Sequence, residues 1–299
     1  MSNTVVDQVV VDGLAVLKIV KHCREGLPNL VSGALLGLDQ RGVLEITHSF
    51  PGINTASADG GPAAEANAED DQQYQLDMMT SLREVNVDNN RVGWYQSMFY
   101  GNFNNFQIVE ALQQYHENIP NSIVLLYDPI QTANGSLTLR AFRLSDKFLN
   151  LSKRGDAGSI DFIPPSEILE ELPIKIRNPG LINALLFDMK RNASLSCDFE
   201  RLDLSTNPYL EKNLEYLCGW VDDLSEEQYK YKNVLQPKRA DDWRRKQGDF
   251  DNKEAPDRLL SLLLSNQISQ YCSQIHEFTG RSFGKLFLAG SMQRSIQDS

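Results

Sequence analysis

The sequence predicts an α/β domain built on a mixed sheet, followed by a helical region. Three observations carry that reading. Short apolar runs alternate with segments of helical spacing through the first half of the chain. Asn134-Gly135 stands between two such runs, a strong hairpin signal. The second half carries two long rows of apolar residues in steps of four and three.

Residues 5–48 read as strand, helix, strand, strand. Val5, Val6, Val9 and Val10 form a β-rich start, and Asp12 is the expected N-cap of a helix. Val16, Leu17, Val20 and Cys23 share one apolar face of that helix, and Gly26 and Pro28 end it. Leu30 to Leu38 is small and apolar, as in a strand covered on both faces, and Gly42 begins its partner, Val43 to Phe50. Residues 51–72 are rich in Gly, Ala and Asn, with five acidic side chains and no basic one. Such a segment cannot bury enough apolar area to offset its ordering entropy, so a flexible insertion is expected. Tyr74 to Val85 has helical spacing, with Leu76, Met79 and Leu82 on one face. There follow an aromatic-rich strand, Arg91 to Tyr100, a helix, Phe106 to Tyr115, a buried strand, Ile123 to Tyr127, and its hairpin partner, Leu137 to Phe142.

Leu172 to Ile176 then reads as a strand and Pro179 to Met189 as a helix. The next helix carries the row Leu210, Leu214, Leu217, Val221 and Leu224; Gln228 breaks it, and Tyr231 and Leu235 resume it before Pro237. Gln228 is read as a frayed turn in preference to a register-setting contact. Residues 237–257 hold six Lys/Arg and six Asp/Glu and read as a solvated linker, their basic cluster Lys238 to Lys246 included. The last helix carries Leu264, Ile268, Tyr271, Ile275 and Phe278 in the same spacing, with Gly280 and Gly284 expected to interrupt it. Burying the first row contributes roughly 10–20 kcal/mol before entropy, so something must cover it. Helices of the same chain and helices of other chains fit equally well at this point.

Composition narrows the function. The chain has 299 residues and no C-x-x-C among its four cysteines, so finger-type zinc is not expected. Met1 to Asp7 has no secretory character, and no apolar run approaches the roughly 20 residues of a membrane span. An intracellular, soluble protein is expected, with no membrane partner. A net charge of −11 disfavours general nucleic-acid binding and points to protein partners or a small substrate. His22, His48, His116 and His276 are scattered, and neither H-E-x-x-H, a P-loop, G-x-G-x-x-G nor G-x-S-x-G is present.

One stretch reaches a known family. Val92-Gly93-Trp94-Tyr95-Gln96-Ser97-Met98 resembles the metal-site strand of the MPN (JAB1/MPN) domain, which in that family's active metalloproteases reads Gly-Trp-Tyr-His-Ser-His. There two histidines, a downstream Asp and a water hold one zinc, and an upstream Glu acts as general base. The family spacing puts Gln96 and Met98 at the histidines with Ser97 between them, Phe106 at a serine, Val109 at the Asp and Leu30 at the Glu. The resemblance therefore implies an MPN fold over residues 5–150 (a mixed, mainly antiparallel sheet flanked by helices) without the metal site. It implies no cofactor, no catalytic residue and no enzymatic activity.

Further pieces narrow the branch: Val11 to His22, Gly33 to Leu38, Leu44 to Thr47, Tyr127-Asp128-Pro129-Ile130 and Glu277 to Phe287. From about residue 5 to 290 the set is similar to the metalloprotease-inactive MPN branch found in eukaryotic translation initiation factor 3. That implies a cytoplasmic scaffold subunit supporting recruitment of initiator tRNA and mRNA to the small ribosomal subunit. Its implied partners are the other subunits of the factor, including a second MPN subunit and PCI-type subunits, with mRNA contacted indirectly. Residues 165–299 would join a helical bundle through the two apolar rows, with a flexible linker at about 237–257. Two alternatives stay open: an inactive MPN subunit of another complex, such as the proteasome lid or signalosome, and a metal-dependent isopeptidase.

Overall fold

The strand–helix–strand–strand opening forms as the spacing predicts. In this computed structural model, residues 6–40, 42–52, 62–85, 90–102, 105–133, 137–154, 164–192, 208–235 and 258–297 are described. In chain order the elements are β1 (Gln8–Asp12), α1 (Gly13–Glu25), β2 (Ser32–Gln40), β3 (Val43–Pro51), α2 (Pro62–Glu84), β4 (Arg91–Ser97), α3 (Asn105–Asn118), β5 (Ile123–Tyr127), α4 (Pro129–Ala133) and β6 (Leu139–Leu144). There follow α5 (Asp146–Arg154), a short 3-10 turn (Pro165–Glu167), β7 (Leu169–Leu172), β8 (Ile174–Arg177), α6 (Gly180–Asn192), α7 (Pro208–Leu235) and α8 (Arg258–Gln297). The chain divides into two compact units, Met1–Ser145 with Leu169–Arg201, and Asp146–Ile168 with Leu202–Ser299.

The first unit is a mixed sheet. Among the described residues it has eight strands in the order β7-β6-β5-β4-β2-β3-β1-β8. β1 runs parallel to β3 and β8, and β4 parallel to β5; the remaining pairings are antiparallel. Leu172 to Ile176, expected as one strand, is divided by Pro173, which lacks the N–H a ladder needs. The two halves lie at opposite edges of the sheet, so the sheet must curl to bring those edges within one residue of each other. The register shift at Leu36/Gly37 supplies part of that curl, and Gly37 is where a Cβ would strike the Glu45 carbonyl.

Alternation along β2 divides the core between two faces. Leu35 joins Val9, Val11, Ile46 and Leu125 under α1, which buries Ala15, Val16, Ile19 and Cys23. Leu17, expected inside, is exposed. Ala34, Leu36 and Phe50 meet Tyr74, Met78, Met79 and Leu82 of α2 on the other face, and Leu76, also expected there, is exposed. Asp12 stands at the N-cap of α1 but does not cap it; its carboxylate accepts from Arg177 Nε at 3.2 Å instead.

Several expectations need correction. The segment expected to be flexible as far as residue 72 is helical from Pro62. Proline suits a first helical position, and the alanines that follow favour helix even where they cannot build a core. Residues 53–61 lie outside those described. β4 ends at Ser97 because Tyr100 and Gly101 turn the chain with φ of 55° and 69°. β5 and β6 are antiparallel neighbours, but α4 lies in their connection, and Asn134-Gly135 lies outside the described residues.

In the second unit α7 packs on α8, with Trp220 edge-on to Tyr271 at 4.2 Å. The 3-10 turn also packs on α8. α8 runs unbroken through Gly280 and Gly284, contrary to the expected interruption; a helical glycine costs about 1 kcal/mol without enforcing a break. The linker at 237–257, its basic cluster and the side chains of Tyr231 and Leu235 fall outside the described residues. Among the described residues, no helix is long and apolar enough to cross a membrane.

Candidate functional site

The motif strand β4 lies between β2 and β5. Gln96 stands opposite Ser32 on one side and Leu126 on the other. The N–H of Ser97 donates to the Val31 carbonyl at 2.8 Å, and the Val31 N–H donates back to Ser97 Oγ at 2.7 Å. This exchange joins the start of β2 to the end of β4 and gives the buried hydroxyl a structural partner. Met98 is buried, and its N–H donates to the Tyr127 carbonyl at 2.9 Å. Leu30 is exposed just before β2. The register thus gathers the backbone of Leu30, Gln96, Ser97 and Met98 at one end of neighbouring strands. Phe106, exposed, and Val109, buried, belong to α3, which packs on β5 and β6.

The residue that organises this end is Asp128, which the sequence alone marks only as part of a strand-end motif. It is fully buried. Its Oδ1 accepts the N–H groups of Ile130 and Gln131, both at 2.9 Å, and its Oδ2 accepts the Gly101 N–H at 2.6 Å. One carboxylate therefore caps α4 and ties down the Tyr100-Gly101 turn after β4. Burial raises its pKa, and the backbone donors from Gln131, Gly101 and Ile130 oppose that rise. A signal for the cap does exist: Asp followed by Pro at the first helical position is an N-cap pattern.

On the α1 side, Tyr95 is buried and its hydroxyl lies 2.8 Å from His22 Nδ1. A Cβ at Gly33 would stand 2.5 Å from that hydroxyl, so the glycine makes room for the ring. Burial lowers the His22 pKa, against the raising influence of Glu25. Burial also pushes the Cys23 thiol up to about 12, which leaves it protonated and unreactive.

Residues 4–121 match the family described as JAB1/Mov34/MPN/PAD-1 ubiquitin protease, and residues 132–249 and 247–298 match the C-terminal region of eIF3h. The chain is 38% identical to the H subunit of eukaryotic translation initiation factor 3 from Arabidopsis thaliana, across 94% of this chain and 91% of that one. It is 38% identical to the H subunit of Dictyostelium discoideum across 98% and 97%, and 37% identical to that of Xenopus tropicalis across 98% and 95%. This chain belongs to the family of eukaryotic translation initiation factor 3 H subunits.

In this member of the eIF3h family, the side chains at the positions that the resemblance assigns to the MPN metal site do not fit zinc. Val109, Phe106 and Leu30 have no lone-pair donor, Met98 offers a soft thioether and Gln96 a neutral amide. Ser97 Oγ already accepts from the backbone. Among the described residues, no three His, Cys, Asp or Glu side chains are grouped so that they could hold a metal ion.

The two apolar rows, which the resemblance assigns to assembly, are partly covered within the chain and partly open. On α7, Leu210, Leu217 and Leu224 are partly buried, but Leu214 and Val221 are 45% and 46% exposed. On α8, Tyr271 is buried while Leu264, Ile268, Ile275 and Phe278 are only partly so. Sequence reasoning misses exposed apolar side chains in each unit: α6 of the first exposes Leu181, Leu185, Phe187 and Met189, and the end of α8 in the second exposes Phe283 and Phe287.

Proposed function

We propose that this chain is a non-catalytic scaffold subunit of initiation factor 3, supporting recruitment of initiator tRNA and mRNA to the small ribosomal subunit in the cytoplasm. The observation that carries the reading is the near full-length similarity to the factor 3 H subunits of other eukaryotes. The functional division is residues 5–150 as an MPN domain without a metal site and 165–299 as the assembly region, whose first strands, β7 and β8, complete the sheet of the MPN domain. Leu30, Gln96, Ser97, Met98, Phe106 and Val109 are remnant positions of the family's metal site, with no catalytic role.

The physical support is exposed apolar surface. Leu181 is 84% and Phe287 78% exposed, each with apolar neighbours on its own helix. Large contiguous apolar patches mark interaction surfaces. The partners are the other subunits of the factor, a second MPN subunit and PCI-type subunits among them, with the small ribosomal subunit and mRNA reached through the complex. Affinity purification of the tagged chain from its own cells, followed by mass spectrometry, tests this reading. The initiation factor 3 subunits should be recovered in near-equal amounts; recovery of proteasome-lid or signalosome subunits in their place would refute it. Elemental analysis of the same material should find zinc far below one per chain.

A further inference from the structure

β7 and β8 follow each other in the chain with only Pro173 between them, yet each is an outer strand of the sheet. They are held there by different means. β7 buries Leu169 and Leu172. It also pairs Glu171 with Arg140, whose Nε and Nη2 donate at 2.9 and 2.7 Å, and Glu170 with Arg143, whose Nη2 donates at 2.6 Å. β8 has little core to hold it. Ile174 packs partly against the core, whereas Lys175, Ile176 and Arg177 are exposed, Ile176 by 47%.

Beyond its ladder to β1, what fastens β8 is Arg177. Its side chain reaches over β1 to β3, where Nη1 and Nη2 donate to the two carboxylate oxygens of Glu45 at 2.8 and 3.2 Å. Its Nε donates to Asp12 at the end of β1. One guanidinium thus bridges three adjacent strands. A two-pronged fork of this kind holds better than a simple surface pair. All three side chains still stand partly in water, so dissolved salt weakens the bridge.

The next residue joins this bridge to α6. Asn178 sits against the start of α1, where a Cβ at Gly13 would strike its Oδ1. Its carbonyl accepts from Asn183 Nδ2 of α6 at 3.4 Å. α6 itself is exposed at every position from Gly180 to Arg191. Its direction is therefore set where it leaves β8, and not by packing along its length.

We propose that β8 is a latch with Arg177 as its catch: β8 leaves the sheet while β7 stays in place, and it carries the root of α6 with it. Pro173 is the natural break between the two halves. It has no N–H for the ladder, and its carbonyl, which accepts from the Val9 N–H at 3.0 Å, is where the hold of β1 begins. Closed, the latch fixes α6 against the sheet; open, it lets α6 reorient without unfolding the domain. The latch goes beyond the scaffold function and does not depend on it.

Hydrogen exchange of the full chain, followed by mass spectrometry, tests the latch. In Arg177→Ala the amides of Ile174–Ile176 should exchange about tenfold faster than in wild type, while those of Leu169–Leu172 and of β4 keep their wild-type rates. Raising sodium chloride from about 0.05 M to about 0.5 M should speed β8 exchange in wild type and leave the variant unaffected. Arg177→Lys keeps the charge without the fork and should fall between the two. Unchanged β8 exchange in Arg177→Ala would show that the arginine is not the catch. Equal acceleration in β7 and β4 would show that β8 does not release by itself. Either result overturns the proposal. Glu45→Gln should act in the same direction as Arg177→Ala and serves if that variant does not fold. Gly13→Ala, which displaces Asn178 from α1, should also speed β8 exchange; an unchanged rate there would overturn the coupling of the latch to α6.

Discussion

Asp128 holds three backbone N–H groups with one carboxylate. Replacing it with alanine leaves those donors without a protein partner, so Asp128→Ala should destabilise the first unit by about 2–4 kcal/mol, read by chemical denaturation. Asp128→Asn keeps an oxygen for Ile130 and Gln131 but turns an amide N–H toward Gly101, so it should recover only part of that loss. His22 makes a pH prediction with a definite sign. Its folded-state pKa lies below the ordinary value because burial disfavours the imidazolium. The unfolded chain therefore takes up the proton first, and the associated stability is present above about pH 6.5 and lost as pH falls through the lowered folded value. The melting temperature should drop between about pH 7.5 and pH 5.5, and His22→Phe should lose part of that drop. An identical pH profile in wild type and variant would count against the assignment.

At the scale of elements, β7 and β8 show both what the sequence reveals and where it stops. The spacing of Leu172 to Ile176 signals extended chain, but the start of β7 at Leu169 and the place of each half in the sheet depend on pairings with β6 and β1, far away in sequence. A fragment ending at residue 150 lacks both edge strands and leaves β6 and β1 without their outer partners. It should lose the cooperative melting that a fragment ending at residue 201 retains, as circular dichroism would show. α2 carries a similar lesson. Its docked half is legible because Met79 and Leu82 must find a core, whereas the turns from Pro62 follow from helix propensity and obey no burial rule. The α1 face is rotated from its expected position: Ala15, Val16, Ile19 and Cys23 turn inward on the side that packs on β3, and Leu17 is left at the surface.

At the scale of the whole molecule, the family is legible in the Trp94-Tyr95-Gln96-Ser97 strand and the Phe278-Thr279-Gly280-Arg281 helix segment. That Leu30, Phe106 and Val109 offer no donor to a metal can be read from side-chain types alone. The anchoring role of Asp128 cannot, since it rests on the turn at Gly101 coming back to meet the start of α4. The exposure of Leu214 and Val221 is likewise hidden, because periodicity gives a row its spacing but not its rotation against a neighbour. Whether the chain attaches to the factor through those rows can be tested by co-purification. Initiation factor 3 subunits would be recovered with the tagged double variant Leu214→Asp, Val221→Asp, beside the melting temperature of the isolated chain. Both side chains are about half exposed, so the melting temperature should stay close to wild type while the other subunits are lost. Recovery of the full complex at wild-type levels by a normally folded double variant would show that the rows do not attach the chain to the factor.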